Sequence, residues 1–287
     1  MRLINPKSIS GILSTILLIE AGSFLTCLPV ALIYGDPLFP FLVSSAVSGI
    51  ISIFLRVISR KTDPGQISSR DTFLIVIIAW VLFSLAGSMP YLISGTIPSF
   101  INAFFESASG FTTTGASILR EVETLPHSIL FWRSLTHWIG GIGIIVLVIL
   151  ILPTLKVNGY QLFSLESSMK ERIHPRTKGI VYRIMIIYIG LTALQIIFLA
   201  VGDMSLFDSI CTSFGTVATG GFSTKNLSLS EYPAYIQYVT AIFMILGATS
   251  YVVYYYTLVG SYKKVIRNEE FWFYIFFITA SVVFVTL

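Results

Sequence analysis

Charge is scarce in this sequence: Asp, Glu, Lys and Arg make up 11% of its 287 residues, against 55% hydrophobic and 14% aromatic. A soluble domain carries about 25% charged residues, so this balance excludes a water-soluble globular chain and points to an integral membrane protein. Cysteine is equally sparse. Cys27 and Cys211 lie far apart in apolar surroundings, which excludes a disulfide framework or thiolate metal site and leaves packing residues. Three scattered histidines, His127, His137 and His174, form no His-Glu-x-x-His pattern and no acid–base pair, so a membrane-embedded enzyme has no chemistry to work with.

Long apolar runs fill the space that charge leaves. Runs sufficient for a bilayer's ~20-residue helix occur at Ile9 to Tyr34, Leu38 to Ile58, Thr72 to Ser94, Ser128 to Leu152, Ile180 to Val201 and Tyr235 to Val259. These predict six full spans. A seventh begins at Phe271 and is still apolar at Leu287, which reads as a chain cut short. The first run is too long for a signal peptide's apolar region and lacks a small-x-small cleavage site, so it reads as a permanent helix.

The basic residues fix an expected orientation. Threading the chain from a cytoplasmic amino terminus places fifteen of the eighteen Lys and Arg residues inside, including a dense stretch from Lys156 to Arg183. The exceptions, Arg120, Arg133 and Lys225, sit beside two polar loops, which are therefore expected to face outside. The net charge of +4 expresses this asymmetry and gives no nucleic-acid signature.

Those loops are the sequence's most informative feature. Thr113-Thr114-Gly115-Ala116-Ser117 and Thr219-Gly220-Gly221-Phe222-Ser223 both fit Thr-x-Gly-x-Ser and lie 106 residues apart. The correspondence extends to Ser99 with Ser205 and Ser107 with Ser213, and, at an offset of 107, to Pro126 with Pro233 and Gly140 with Gly247. The unit reads as helix, pore loop, helix. Two spans per unit give successive units the same orientation, which disfavours an inverted-repeat secondary transporter.

Each loop follows a short helical segment, Pro98 to Gly110 in the first copy and a capping-box-like start at Ser205 with Asp208 in the second. Both are too short to cross a bilayer and read as re-entrant. Such a helix aims its partly negative carboxyl end at the membrane interior, and the returning backbone is tolerated there only if it is buried or lines water. Glycine at 115 and 221 permits torsions that turn successive carbonyls toward an axis. The bland alternative is a pair of helix-connecting Gly/Thr turns. Acidic residues near the loops, Glu106 and Asp208 among them, are expected either to concentrate cations at a pore mouth or to be ordinary solvated loop charge.

Polar residues inside spans add detail. Glu20 must be protonated, paired or turned to the protein interior. Arg133 and His137 share a helix face and either line a vestibule or tie the helix to Glu106, with packing the expected role of His137. Lys225 at the outer mouth has no coordinating role. Tyr254 to Tyr256 read as an interface belt.

The stretch Phe105-Glu-Ser-Ala-Ser-Gly-Phe-Thr-Thr-Thr-Gly-Ala-Ser117 with His137-Trp-Ile-Gly-Gly-Ile-Gly143 resembles the first repeat of the TrkH/TrkG potassium-uptake subunits of the Trk/Ktr/HKT superfamily. Thr219-Gly-Gly-Phe-Ser-Thr-Lys-Asn226 resembles the second, and the helices from Ile9 to Ile58 resemble the extra amino-terminal pair of the Trk branch. The resemblance implies an all-α integral membrane protein of the bacterial or archaeal inner membrane. Its organisation would be a helix pair at 1–66, helix–pore loop–helix repeats at 67–160 and 161–266, and a third repeat, truncated, at 267–287. It implies a selectivity filter from Thr113, Thr114, Gly115, Ala116, Thr219, Gly220, Gly221 and Phe222. Potassium, the transported ion, would be held by the backbone carbonyls of Thr113, Thr114, Thr219 and Gly220. Implied partners are membrane lipid, a second copy giving a homodimer, and a cytosolic nucleotide-binding TrkA-type ring. The Lys156–Arg183 stretch serves as its docking surface or as a lipid headgroup anchor. The family pattern has four loops, and this sequence carries two.

Overall fold

The computed structural model describes residues 6–59, 69–151 and 174–286. Among them every regular element is an α-helix. Helices α1 (Pro6–Leu25), α2 (Cys27–Tyr34) and α3 (Phe39–Ser59) form the amino-terminal part. They are followed by α4 (Ser69–Gly87), α5 (Met89–Ile93), α6 (Phe100–Phe111) and α7 (His127–Ile151). Then come α8 (His174–Val201), α9 (Leu206–Val217), α10 (Ala234–Gly247), α11 (Tyr251–Leu258), α12 (Tyr262–Ile266) and α13 (Glu269–Thr286). Among the described residues five stretches are long and apolar enough to cross a membrane, or six if the bent pair α10 and α11 counts as one. The chain is a multi-pass membrane protein. The expected boundaries at 66/67 and 160/161, and the Lys156–Arg183 stretch up to residue 173, lie outside the described residues.

Small polar residues weld the amino-terminal pair. Ser44, Ser48 and Ser52 recur at four-residue spacing along α3 and are buried. Ser52 Oγ donates to the Ser14 carbonyl of α1 at 2.6 Å and Ser45 Oγ to the Ala21 carbonyl at 2.9 Å. Small side chains let the backbones approach where lipid supplies no hydrophobic drive between helices. Glu20 on α1 is wholly buried, and its carboxylate oxygens have no hydrogen-bond partner among the described residues. Cys27 and Cys211 are free thiols, both buried, as expected of packing residues.

An aromatic box fixes where α6 ends. Phe111, its last residue, packs 5.0 Å from Phe83 and 6.1 Å from Trp132, which in turn lies 4.5 Å from Phe24. Trp132 Nε1 donates at 3.0 Å to the carbonyl of Gly87, the buried last residue of α4. Gly140 of α7 meets this end directly: a Cβ there would sit 2.0 Å from the Phe111 carbonyl oxygen. Backbone contact of this kind demands glycine. Gly247 of α10 makes the looser counterpart, 3.1 Å from the Val217 carbonyl at the end of α9.

The sixth span departs from the expected single helix. The chain bends by 89° between α10 and α11. The carbonyls freed by the break are met locally and from afar: Thr249 Oγ1 donates to Ile245 O at 2.8 Å, Tyr274 Oη to the same oxygen at 3.0 Å, and Tyr254 Oη to Leu246 O at 2.5 Å. Such replacement is what permits a break in an apolar environment. Tyr254 is therefore a helix cap in addition to any belt role. Tyr255 and Tyr256 receive the cations of Arg183 at 5.3 Å and Lys264 at 5.2 Å over their rings.

Candidate functional site

The two Thr-x-Gly-x-Ser loops leave their helices by the same set of hydrogen bonds. In the first, Thr113 N donates to Gly110 O at 3.0 Å and Thr114 N to Ser109 O at 3.0 Å; in the second, Thr219 N donates to Thr216 O at 2.9 Å and Gly220 N to Gly215 O at 2.8 Å. This double closure is the Schellman ending of a helix, whose residue just past the cap takes the left-handed conformation and is usually glycine. Here threonine takes it, at φ 54 for Thr113 and φ 57 for Thr219. Two residues on, Gly115 at φ 73 and Gly221 at φ 93 are left-handed again. A β-branched residue in this region is an outlier that costs about 1–3 kcal/mol and is held only where surrounding structure imposes it.

This geometry aims the carbonyls. In a trans peptide the C=O and the following N–H point in opposite directions. The N–H groups of Thr114 and Gly220 point back into their helices, so the carbonyls of Thr113 and Thr219 point away from them. Gly221 N also donates to Gly215 O, at 3.3 Å, which turns the Gly220 carbonyl outward in the same sense. Among the described residues nothing donates a hydrogen bond to the carbonyls of Thr113, Thr114, Thr219 or Gly220.

The entry to α9 is capped as its sequence predicts, Ser205 Oγ accepting from Asp208 N at 3.0 Å. The two carboxylates expected near a pore mouth are both engaged by protein groups, and for Glu106 the tie to Arg133 is the alternative that holds. Glu106 is wholly buried, and its oxygens accept from Ser117 Oγ at 2.9 and 3.1 Å, Ile118 N at 3.0 Å and Arg133 Nε at 2.6 Å. Its charge is matched by Arg133 inside the protein, so it braces the first loop instead of gathering solvated cations. Asp208 is half-buried and accepts from Thr224 Oγ1 at 2.6 Å and Ser205 Oγ at 2.7 Å, bracing the second loop. A carboxylate on each short helix thus grips a hydroxyl at the end of the first loop, Ser117, and just past the second, Thr224.

Sequence reasoning missed the part played by α7 in the second loop. Phe222 is buried with its ring centroid 3.9 Å from the Arg133 guanidinium carbon and 4.1 Å from the His137 ring, stacked at 20°. Its amide donates to His137 Nδ1 at 3.4 Å, and Arg133 Nη1 donates to the Ser223 carbonyl at 3.0 Å. The extra glycine of the second copy follows from this wall: a Cβ on Gly220 would sit 2.4 Å from His137 Nδ1. Ala116, the counterpart of Phe222, is exposed. The signal available in sequence was that Arg133 and His137 stand one helical turn apart. Beyond the loops the two halves interlock again, Val122 N donating to Asn226 Oδ1 at 2.7 Å and Asn226 N to Glu123 Oε1 at 2.9 Å.

A family model described as "TrkH: Cation transport protein" matches residues 44–286. The Trk system potassium uptake protein TrkH of Escherichia coli (strain K12) is 36% identical over 272 residues, 92% of this chain and 56% of the relative. An uncharacterized cation transporter of Methanocaldococcus jannaschii is 33% identical over 272 residues, 93% of this chain and 56% of the relative. The crystal structure of the potassium transporter TrkH from Vibrio parahaemolyticus superposes with a TM-score of 0.79 at 32% identity, over 88% of this chain and 52% of that one. The chain spans about half the length of the curated relatives it matches.

Proposed function

Because this chain belongs to the TrkH cation transport protein family, we propose that it takes up potassium across the cell membrane, its two loops forming part of a backbone-carbonyl selectivity filter. The observation that carries this reading is the shared geometry of the loops: two Schellman endings 106 residues apart, each followed by alternating left-handed residues that turn carbonyls away from the helix. Carbonyl oxygens so arranged replace a cation's water shell, and the partly negative ends of α6 and α9 favour positive charge beside them. Thr113, Thr114, Thr219 and Gly220 contribute the carbonyls, Gly115 and Gly221 the torsions, and Ala116 and Phe222 the strands' outer ends.

In this reading residues 67–160 and 161–266 are successive helix–pore loop–helix repeats behind an amino-terminal helix pair at 1–66, and a third repeat begins at 267. The protein works in a bacterial or archaeal inner membrane with its amino terminus in the cytoplasm, as a homodimer in lipid, with a cytosolic nucleotide-binding TrkA-type ring as regulator. The test is rubidium and sodium uptake by the intact gene product in cells stripped of other potassium uptake. Rubidium uptake that Gly221→Ser makes less selective against sodium supports the filter; unchanged selectivity overturns it.

A secondary transporter coupled to sodium or protons is the second reading, favoured by the 89° break beside the second loop, since discontinuous helices form coupled sites in such proteins. Uptake abolished by a protonophore at a clamped membrane potential, or dependent on external sodium, selects it.

A further inference from the structure

The guanidinium of Arg133 stands where the two loops meet. One edge is ion-paired to Glu106, at 2.6 Å, and Glu106 holds the first loop through Ser117 and Ile118. The other edge donates at 3.0 Å to the Ser223 carbonyl of the second loop, and the plane lies 3.9 Å from the centroid of the Phe222 ring. His137, one turn further along α7, receives the Phe222 amide at 3.4 Å and stacks on the same ring. The Gly221 carbonyl, antiparallel to that amide, must therefore face away from α7. Arg133, Glu106, His137 and Phe222 are buried and Ser223 is half-buried, while Ser117, Ile118 and Gly221 are exposed; none of the oxygens engaged is a carbonyl of the proposed filter.

We infer that Arg133 is a positioning residue for ion discrimination, a latch that sets the spacing and rotation of the two loops relative to each other. The inference rests on the filter reading above. Its physical basis is the guanidinium fork, a rigid plane that donates in two fixed directions while stacking on an aromatic face. Lysine offers one point charge on a flexible stem. It can neutralise Glu106, but cannot also hold Ser223 and cover Phe222 in the same plane. Arg133→Lys thus separates charge from geometry.

The experiment measures rubidium and sodium uptake, membrane abundance and detergent melting temperature for the intact gene product and for Arg133→Lys, Phe222→Leu and Gly221→Ser. Arg133→Lys is expected to keep the abundance and melting temperature of the parent while its rubidium-over-sodium ratio falls about three- to tenfold, the effect of losing one net hydrogen bond's worth of geometry. An unchanged ratio overturns the inference, as does a fall in uptake of both ions in proportion to lost protein. Should Arg133→Lys fail to reach the membrane, Phe222→Leu, which leaves the Glu106–Arg133 pair in place, decides by the same ratio. Gly221→Ser separates the two readings. If it shifts the ratio while Arg133→Lys and Phe222→Leu do not, the latch falls and the filter stands; if it too leaves the ratio unchanged, the filter reading falls, and the latch with it.

Discussion

Gly115 faces the carbonyl of Gly220 so closely that a Cβ at position 115 would lie 2.0 Å from that oxygen. The loops, 106 residues apart in sequence, are thus in backbone-to-backbone contact, and the oxygen has no flexible side chain to swing aside. Gly115 also holds φ 73, where an L-residue pays about 1–2 kcal/mol. Gly115→Ala is expected to push the strands apart and abolish rubidium uptake by the intact gene product while leaving it detectable in the membrane. Uptake at parental rates would show that the loops do not act together.

Thr113 and Thr219 do without glycine where a Schellman ending ordinarily has it. Replacing a strained left-handed residue by glycine removes about 1 kcal/mol or more of torsional cost, offset in part by the added freedom of the unfolded chain. Thr219→Gly is accordingly expected to hold or raise the melting temperature. It removes the hydroxyl and loosens the carbonyl, so rubidium-over-sodium discrimination should fall. The measurement is a melting curve alongside paired uptake; a variant that melts lower than its parent would refute the strain argument.

Gly140 and Gly247 occupy matched sequence positions but unequal spaces. At Gly140 a Cβ would meet the Phe111 carbonyl oxygen at 2.0 Å, whereas at Gly247 the nearest atom is the Val217 carbonyl oxygen at 3.1 Å. The first demands a shift of helix α7 away from α6, and the second needs a neighbour to give by a few tenths of an ångström. Overpacking of a well-packed contact costs about 1–3 kcal/mol or more, so Gly140→Ala should lower the melting temperature well below that of Gly247→Ala. Equal shifts would mean that the α6–α7 contact is softer than its geometry implies.

What the sequence made legible was local. The Ser205 cap on α9 depends on residues one turn apart and the two loops on a motif seen twice, whereas the tie from Arg133 to Glu106 was one of two roles that the shared helix face left open. The bend after Gly247 was not read from the sequence, because Gly247-Ala248-Thr249-Ser250 is a short small-residue interruption between apolar runs that together suit one span. Its stability comes from the hydroxyl groups of Tyr254 and Tyr274 reaching back to the freed carbonyls, and hydropathy does not encode that. The burial of Glu106 was hidden for a related reason. A carboxylate near a loop reads as solvated until its partner, 27 residues on, is folded against it. The motif likewise gives Phe222 a place in the strand but says nothing of its ring, which packs on the wall made by α7.

On the proposed filter reading, two loops surround a cation incompletely. The strands touch at Gly115 and Gly220, so in that reading the carbonyls of Thr113, Thr114, Thr219 and Gly220 come from adjoining strands and cover only part of a coordination shell. A filter that strips water must supply oxygens all round, as four loops do in potassium channels. Residues 1–287 purified alone into liposomes are therefore expected to give no rubidium flux above empty vesicles. Robust flux from residues 1–287 as a monomer would mean that the pathway is complete within these helices, and the loops would then need another role. Flux that appears only when two copies are crosslinked would instead place the missing strands on a second chain.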